Sequence, residues 1–155
     1  MTAVIAGGCQ CGRVRYAISG LLFNAHICHC RMCQKAFGNF FAALAGVNKT
    51  DLRWTVGEPA YFRSSSVVSR GFCRHCGTPL TFAYDSAPHM NISIGSLDNP
   101  VLAKVEHQYG IEGMIPAFPA LHDLPASRTE GDISPEDLEK LKSLQHPDHD
   151  TDHWP

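Results

Sequence analysis

The sequence predicts a single, mainly β domain of short antiparallel strands, finished by one short helix near the C-terminus. Three observations carry this. Brief apolar or alternating runs recur through the first two-thirds of the 155 residues, broken by Gly, Pro and Ser. Only one segment, after Ser134, has helix start and stop signals of its own. Seven cysteines fall into three tight groups, a pattern that suits a small β fold pinned by metal.

The strands follow in order. Val14 to Ile18 alternates and stops at Gly20. Phe40 to Leu44 is a short apolar run between Gly38 and Gly46, as expected of a buried strand. Pro59 to Arg63 and Val67 to Phe72 flank a serine-rich turn. Pro79 to Tyr84, Met90 to Ile94 and Val101 to Tyr109 complete the series. Arg31 to Phe37 is read as a turn or two of helix. Near the C-terminus, Ser134 is an N-cap, Pro135 takes the first helical position, and Glu136 and Asp137 favour the positive end of the dipole. Leu138, Leu141 and Leu144 make an apolar stripe expected to pack on the domain, and Pro147 stops the run. The domain is drawn over residues 1–145. Residues 146–155, rich in His and Asp, are expected to be a solvated, disordered tail.

Composition narrows the class. The net charge is −2 and no Lys/Arg run appears, so there is no electrostatic footprint for nucleic acid. The apolar stretch Phe40 to Val47 is too short to span a bilayer. The expected setting is the cytoplasm, a reducing compartment.

The cysteines read Cys9-Gln10-Cys11, Cys28-His29-Cys30-Arg31-Met32-Cys33 and Cys73-Arg74-His75-Cys76. Thiolates two or three residues apart let one turn aim two sulfurs at one soft metal. An odd count leaves one thiol over in any disulfide scheme, and the groups are too tight for a dispersed disulfide framework. Iron–sulfur ligands also cluster, but the spacings favour zinc. Four cysteines make a closed structural site, and three leave a zinc with an open position. Spacing alone does not settle which cysteines share an ion. The simplest partition lets Cys28, Cys30 and Cys33 converge on one ion while the two outer pairs meet across the fold. Gly12 and Gly77, each following a cysteine, supply the free backbone of a knuckle-like turn.

Residues 7–16 (Gly-Gly-Cys-Gln-Cys-Gly-Arg-Val-Arg-Tyr), 28–35 (Cys-His-Cys-Arg-Met-Cys-Gln-Lys) and 72–80 (Phe-Cys-Arg-His-Cys-Gly-Thr-Pro-Leu) resemble the glutathione-dependent formaldehyde-activating enzyme family, which includes centromere-protein-V-like proteins. The resemblance covers about residues 5 to 125. It implies a β-tent fold of short antiparallel sheets around a structural zinc held by Cys9, Cys11, Cys73 and Cys76. It implies a second zinc on Cys28, Cys30 and Cys33 at the active site. It also implies a carbon–sulfur lyase that adds glutathione to formaldehyde, or the reverse. The family's His-containing strand has a counterpart in His107-Gln108-Tyr109. Where the family has a later Pro-Trp, this chain reads Ile115-Pro116-Ala117-Phe118.

Three thiolates and one zinc sum to −1, so the site should be a weak Lewis acid, better suited to binding an incoming thiol than to splitting water. With fewer ligands, its zinc should be the more labile. A thiol and a small aldehyde are the expected partners. Glutathione's carboxylates would call for cations, and Arg13, Arg15, Lys35, Arg63, Arg70 and Arg74 are the candidates, none singled out by sequence. His29 and His75 are read as supporting or exposed residues beside filled thiolate positions, and His107 as a strand histidine with acid/base potential. A non-catalytic, zinc-stabilised protein-binding scaffold is the alternative, and redox sensing by the central thiols is a third.

Overall fold

The structure, a computed structural model, describes residues 4–154. Among these residues, ten strands form two sheets. β1 (Ile5–Gly8), β2 (Arg15–Ile18) and β5 (Leu52–Val56) make the smaller, in the order β1-β2-β5. The larger contains β3 (Phe23–Cys28), β4 (Ala42–Asn48), β6 (Ala60–Arg63), β7 (Val68–Phe72), β8 (Pro79–Tyr84), β9 (His89–Ser93) and β10 (His107–Tyr109), in the order β10-β3-β4-β9-β8-β7-β6. Neighbours pair antiparallel except β10, which runs parallel to β3 with His107 opposite His26 and Tyr109 opposite Cys28. Helices are short: α1 (Arg31–Phe37), α2 (Thr129–Asp132) and α3 (Pro135–Lys140). This is the mainly β, two-sheet architecture expected of a β-tent.

β4 explains why the molecule has two cores. Successive side chains of a strand point to opposite faces. Ala45 and Val47 join Tyr16, Ile18, Leu80 and Ile92 in the main core, which also holds Cys9 and Cys73. Ala42 and Leu44 join Cys33 in a separate cluster, with Cys28, Cys30, Phe37 and Phe82 packed against it. A strand covered on both faces carries a continuous apolar run rather than alternation.

The sequence reading needs four corrections. β1, β3 and β5 are absent from that reading: Ile-Ala-Gly-Gly of β1 carries no alternation and takes its strand character from β2, whereas Phe-Asn-Ala-His-Ile-Cys of β3 and Leu-Arg-Trp-Thr-Val of β5 alternate and pair as strands accordingly. Val101 to Tyr109 is not one strand: Pro100–Leu102 is a 3-10 turn, as a proline without an N–H favours, and only His107–Tyr109 pairs. α3 starts as expected, with Ser134 Oγ accepting from the Asp137 N–H at 3.1 Å, but it ends at Lys140. Leu141 and Leu144 are exposed and only Leu138 is partly covered, so the apolar stripe does not pack on the domain as a whole. The segment His146–Trp154 is largely exposed, as expected of a solvated tail, but it is anchored to the domain at particular points. His146 is buried, its N–H donates to the Gln10 carbonyl at 2.8 Å, and Trp154 meets its ring at 5.2 Å. Among the described residues no helix is long and apolar enough to cross a membrane.

Candidate metal centres and the adjoining cleft

The seven cysteines separate into the two expected sets. The Sγ atoms of Cys9, Cys11, Cys73 and Cys76 lie within 4.8 Å of one another, as do those of Cys28, Cys30 and Cys33.

Two turns of the same design build the outer set. The Cys9 N–H donates to the Val14 carbonyl at 2.9 Å and the Gly12 N–H to the Cys9 carbonyl at 3.0 Å. The Cys73 N–H donates to the Thr78 carbonyl at 2.9 Å and the Gly77 N–H to the Cys73 carbonyl at 2.8 Å. Each turn closes through a glycine in the left-handed region, Gly12 at φ 74° and Gly77 at φ 78°, where a Cβ would be strained. Sulfur separations of 3.6 Å (Cys9–Cys11) and 3.8 Å (Cys11–Cys73) are close to the edge of about 3.8 Å that tetrahedral Zn–S bonds of about 2.3 Å require.

The donors around these sulfurs also fit a metal. The Val14 N–H points at Cys9 Sγ from 3.3 Å, and the Thr78 hydroxyl lies 3.2 Å from Cys76 Sγ. Without an ion, burial pushes the Cys9 thiol up to about 12. Burial also acts upward on Cys76, but hydrogen bonds from Thr78 outweigh it and hold that thiol at about 6. A divalent cation relieves the buried thiols by displacing their protons. A hollow of about 380 Å³ adjoins this set, bounded by Cys9, Cys76, Asp98 and His146. Its sulfurs already form a closed group of four, so it offers no open ligand position.

The central set is built differently. Cys28 ends β3, Cys30 is the N-cap of α1, and Cys33 lies in the first turn of that helix on its buried side. The intervening His29 is wholly buried. Its N–H donates to the Tyr109 carbonyl at 2.9 Å and its Nε2 lies 2.8 Å from Gln108 Oε1. Phe118 packs edge-on against the His29 ring at 4.6 Å and against Phe41 at 5.4 Å. An aromatic from the Ile115–Phe118 segment therefore covers the loop, where the resemblance led one to look for a tryptophan. Gln34 ties the same loop down, donating to the His29 and Gly113 carbonyls at 2.9 and 2.8 Å.

One side of the central set opens into a cleft of about 360 Å³, lined by Cys28, Cys33, Leu44, Phe82 and several polar groups, with no carboxylate. His26 and Tyr109 are among them, with rings 4.9 Å apart. Between Phe23 and His26 the register with β4 slips, and Asn24 sits at φ 44°. That bulge turns the Asn24 carbonyl to accept from His26 Nδ1 at 2.7 Å. A carbonyl can only accept, so Nδ1 carries a proton, and in the neutral ring the lone pair is on Nε2. Burial raises the Cys28 thiol to about 12 and raises that of Cys33, which Arg70 opposes; burial also acts upward on Cys30, but the Cys33 backbone, the Cys28 and Cys33 thiols and the Arg70 charge together outweigh it and leave that thiol below its usual value.

Of the six candidate cations, Arg13, Lys35, Arg63 and Arg74 are exposed. Arg15 is buried at the outer set, bound to Asp98 at 2.8 and 2.6 Å and to Asp150 at 3.0 and 2.7 Å. Arg70 is the one that reaches the central set, with Nη2 3.5 Å from Cys33 Sγ. His75 and His107 are exposed. His26 escaped the sequence reading, although its signal was present: two residues before Cys28 on a strand, it shares that cysteine's face.

The model of the glutathione-dependent formaldehyde-activating enzyme family matches residues 4–111, which include all seven cysteines. A crystal structure of a Rhodobacter sphaeroides protein is similar at a TM-score of 0.54 and 26% identity, over 66% of this chain and 98% of that one. Comparison with curated proteins finds no match.

Proposed function

The chain belongs to the glutathione-dependent formaldehyde-activating enzyme family, and from that premise we propose that it is a zinc-dependent carbon–sulfur lyase. It would join a thiol such as glutathione to formaldehyde or another small aldehyde, or reverse that addition. The observation that carries this reading is the gathering of Cys28, Cys30 and Cys33 at the wall of a cleft, with three sulfurs where a closed site needs four.

In this reading Cys9, Cys11, Cys73 and Cys76 hold a structural zinc, and Cys28, Cys30 and Cys33 hold a second, more labile one. Bound there, zinc would supply a position at which an incoming thiol gives up its proton. The rest falls to the chain. The cleft holds the aldehyde against the sulfur, replacing a bimolecular encounter with a positioned one. The C–S bond forms as the carbonyl π pair moves to oxygen, and that oxygen takes a proton. His26, its Nδ1 fixed by Asn24, presents Nε2 as the group that relays this proton. Leu44 and Phe82 keep the wall apolar, which strengthens polar contacts made inside.

The test is zinc stoichiometry per chain together with the rate of thiol–formaldehyde exchange, followed by NMR. Cys30→Ser should lose the central metal and the acceleration and keep the fold. Full activity with unchanged zinc content in Cys30→Ser would remove this assignment. A single metal indifferent to thiols would favour the scaffold.

A further inference from the structure

Arg70 stands buried at the central cysteines without a carboxylate partner. It lies on β7 and is 6% exposed. Nη2 donates to Cys33 Sγ at 3.5 Å, Nε donates to Ser64 Oγ at 3.2 Å, and the guanidinium carbon sits 4.8 Å from the centre of the Phe82 ring. Nη1 is buried without a partner. A buried guanidinium is costly unless an anion balances it. Among the described residues no carboxylate lies within ion-pair distance of Arg70. Arg15, the other buried arginine, has two. With a metal bound and their protons displaced, the thiolates of the central set would be the anions nearest Arg70.

We propose that Arg70 is the positioning residue that sets the charge of the three-cysteine site and thereby selects an anionic thiolate for its open position. The inference rests on the zinc-dependent reading above. Three thiolates and zinc leave a charge of −1, which repels a further anion. With Arg70 against Cys33 the cluster is neutral, and an added thiolate brings it to −1 rather than −2. The charge lies under the apolar face of Phe82, where solvent screens it little.

Cobalt in the central site gives a thiolate-to-metal absorption band that reports ligand addition without turnover. The full chain is titrated with glutathione and, separately, with neutral imidazole. Arg70→Met should weaken thiolate addition by about tenfold or more, leave imidazole addition unchanged, and keep the outer metal. Arg70→Lys, which keeps the charge, should recover most of the loss, and it carries the test if the methionine variant does not fold: thiolate addition near the wild-type level is then expected, and a loss as large as that for imidazole counts against the proposal. Equal weakening of both ligands in Arg70→Met would reduce Arg70 to a packing role and overturn the proposal. So would wild-type glutathione binding in that variant, and in both cases the lyase reading survives. If no thiol adds to cobalt in the wild-type protein, the lyase reading fails and the Arg70 proposal with it.

Discussion

The two cysteine sets use the same chemistry on opposite architectural terms. The outer set joins Cys9 and Cys11 to Cys73 and Cys76 across more than sixty residues of chain, through two turns of matching hydrogen-bond design. The central set draws all three sulfurs from one stretch of six residues and shows two of them to a cleft. A closed, long-range set contributes to the stability of the fold. On the proposed reading, a local, incomplete set would leave the fold largely independent of its metal, and so would leave that metal available for chemistry. β4 keeps the two apart by presenting Val47 to one and Leu44 to the other.

The largest test of this contrast is to remove one ligand from each set. Structural zinc contributes an apparent 10–16 kcal/mol in small domains, about the whole net stability of a domain this size, as an order of magnitude. Cys73→Ser should therefore give an unfolded or insoluble chain by circular dichroism and lose both metals. Cys28→Ser should lose the central metal alone and melt within a few degrees of the parent protein, roughly a 1 kcal/mol effect. If both variants unfold alike, the division of duties is wrong.

A graded chelator separates the sets without mutation. The central metal should be released first, well before the outer one, and the circular dichroism spectrum should hold through the first phase and collapse with the second. Release in the opposite order would mean that the cleft holds its ion more tightly than four gathered thiols do.

The turns that carry the cysteines were legible because their spacing is written locally, with Gly12 and Gly77 marking where each outer turn closes; which turns meet was left to the simplest partition and to the family resemblance, and the fold gathers the sulfurs in that way. β7 and β8 were legible for a similar reason, being short runs between turn signals. β3 was not. Its Phe-Asn-Ala-His-Ile-Cys sequence alternates, but a bulge in the middle breaks that alternation in the fold, leaving Ala25 and His26 both buried in a strand held by β4 and β10 on either side. His26 went unnoticed with it. Arg70 stood among six equivalent arginines and lysines until burial told them apart. The C-terminal segment read as disordered because its partners, Gln10, Gly12 and Arg15, lie far away in sequence, and only the folded chain brings them together.

Arg15 gives a finer test at the outer set. Its guanidinium is 3% exposed and meets Asp98, at 14%, through two hydrogen bonds. Breaking a buried pair by removing one partner costs about 3–5 kcal/mol. Asp150 remains in contact, so Asp98→Ala should fall at or below the lower end of that range in denaturant unfolding. The loss should appear as faster release of the outer metal, with thiol addition at the central site unchanged. Equal disturbance of both sites would show that they are mechanically coupled through the sheet.

The smallest expected effect belongs to the C-terminal segment. Asp150 reaches the same guanidinium at 2.7 Å but is 64% exposed, so its ion pair is worth less than about 1 kcal/mol. Its companions add contacts of another kind: the His146 N–H bonds to Gln10, between two outer cysteines, and the His146 and Trp154 rings lie over Gly12, where an added Cβ would meet the His146 ring. Asp150→Ala should shift the melting temperature by only a few degrees. Ending the chain after Leu144 should do more than Asp150→Ala, because it also uncovers the first turn, and should speed loss of the outer metal while leaving the central metal's release rate as it was. Combining Asp150→Ala with Asp98→Ala should cost more than the two losses summed, since each carboxylate partly covers for the other at Arg15. Additive losses would mean that the segment rests on the outer set without supporting it.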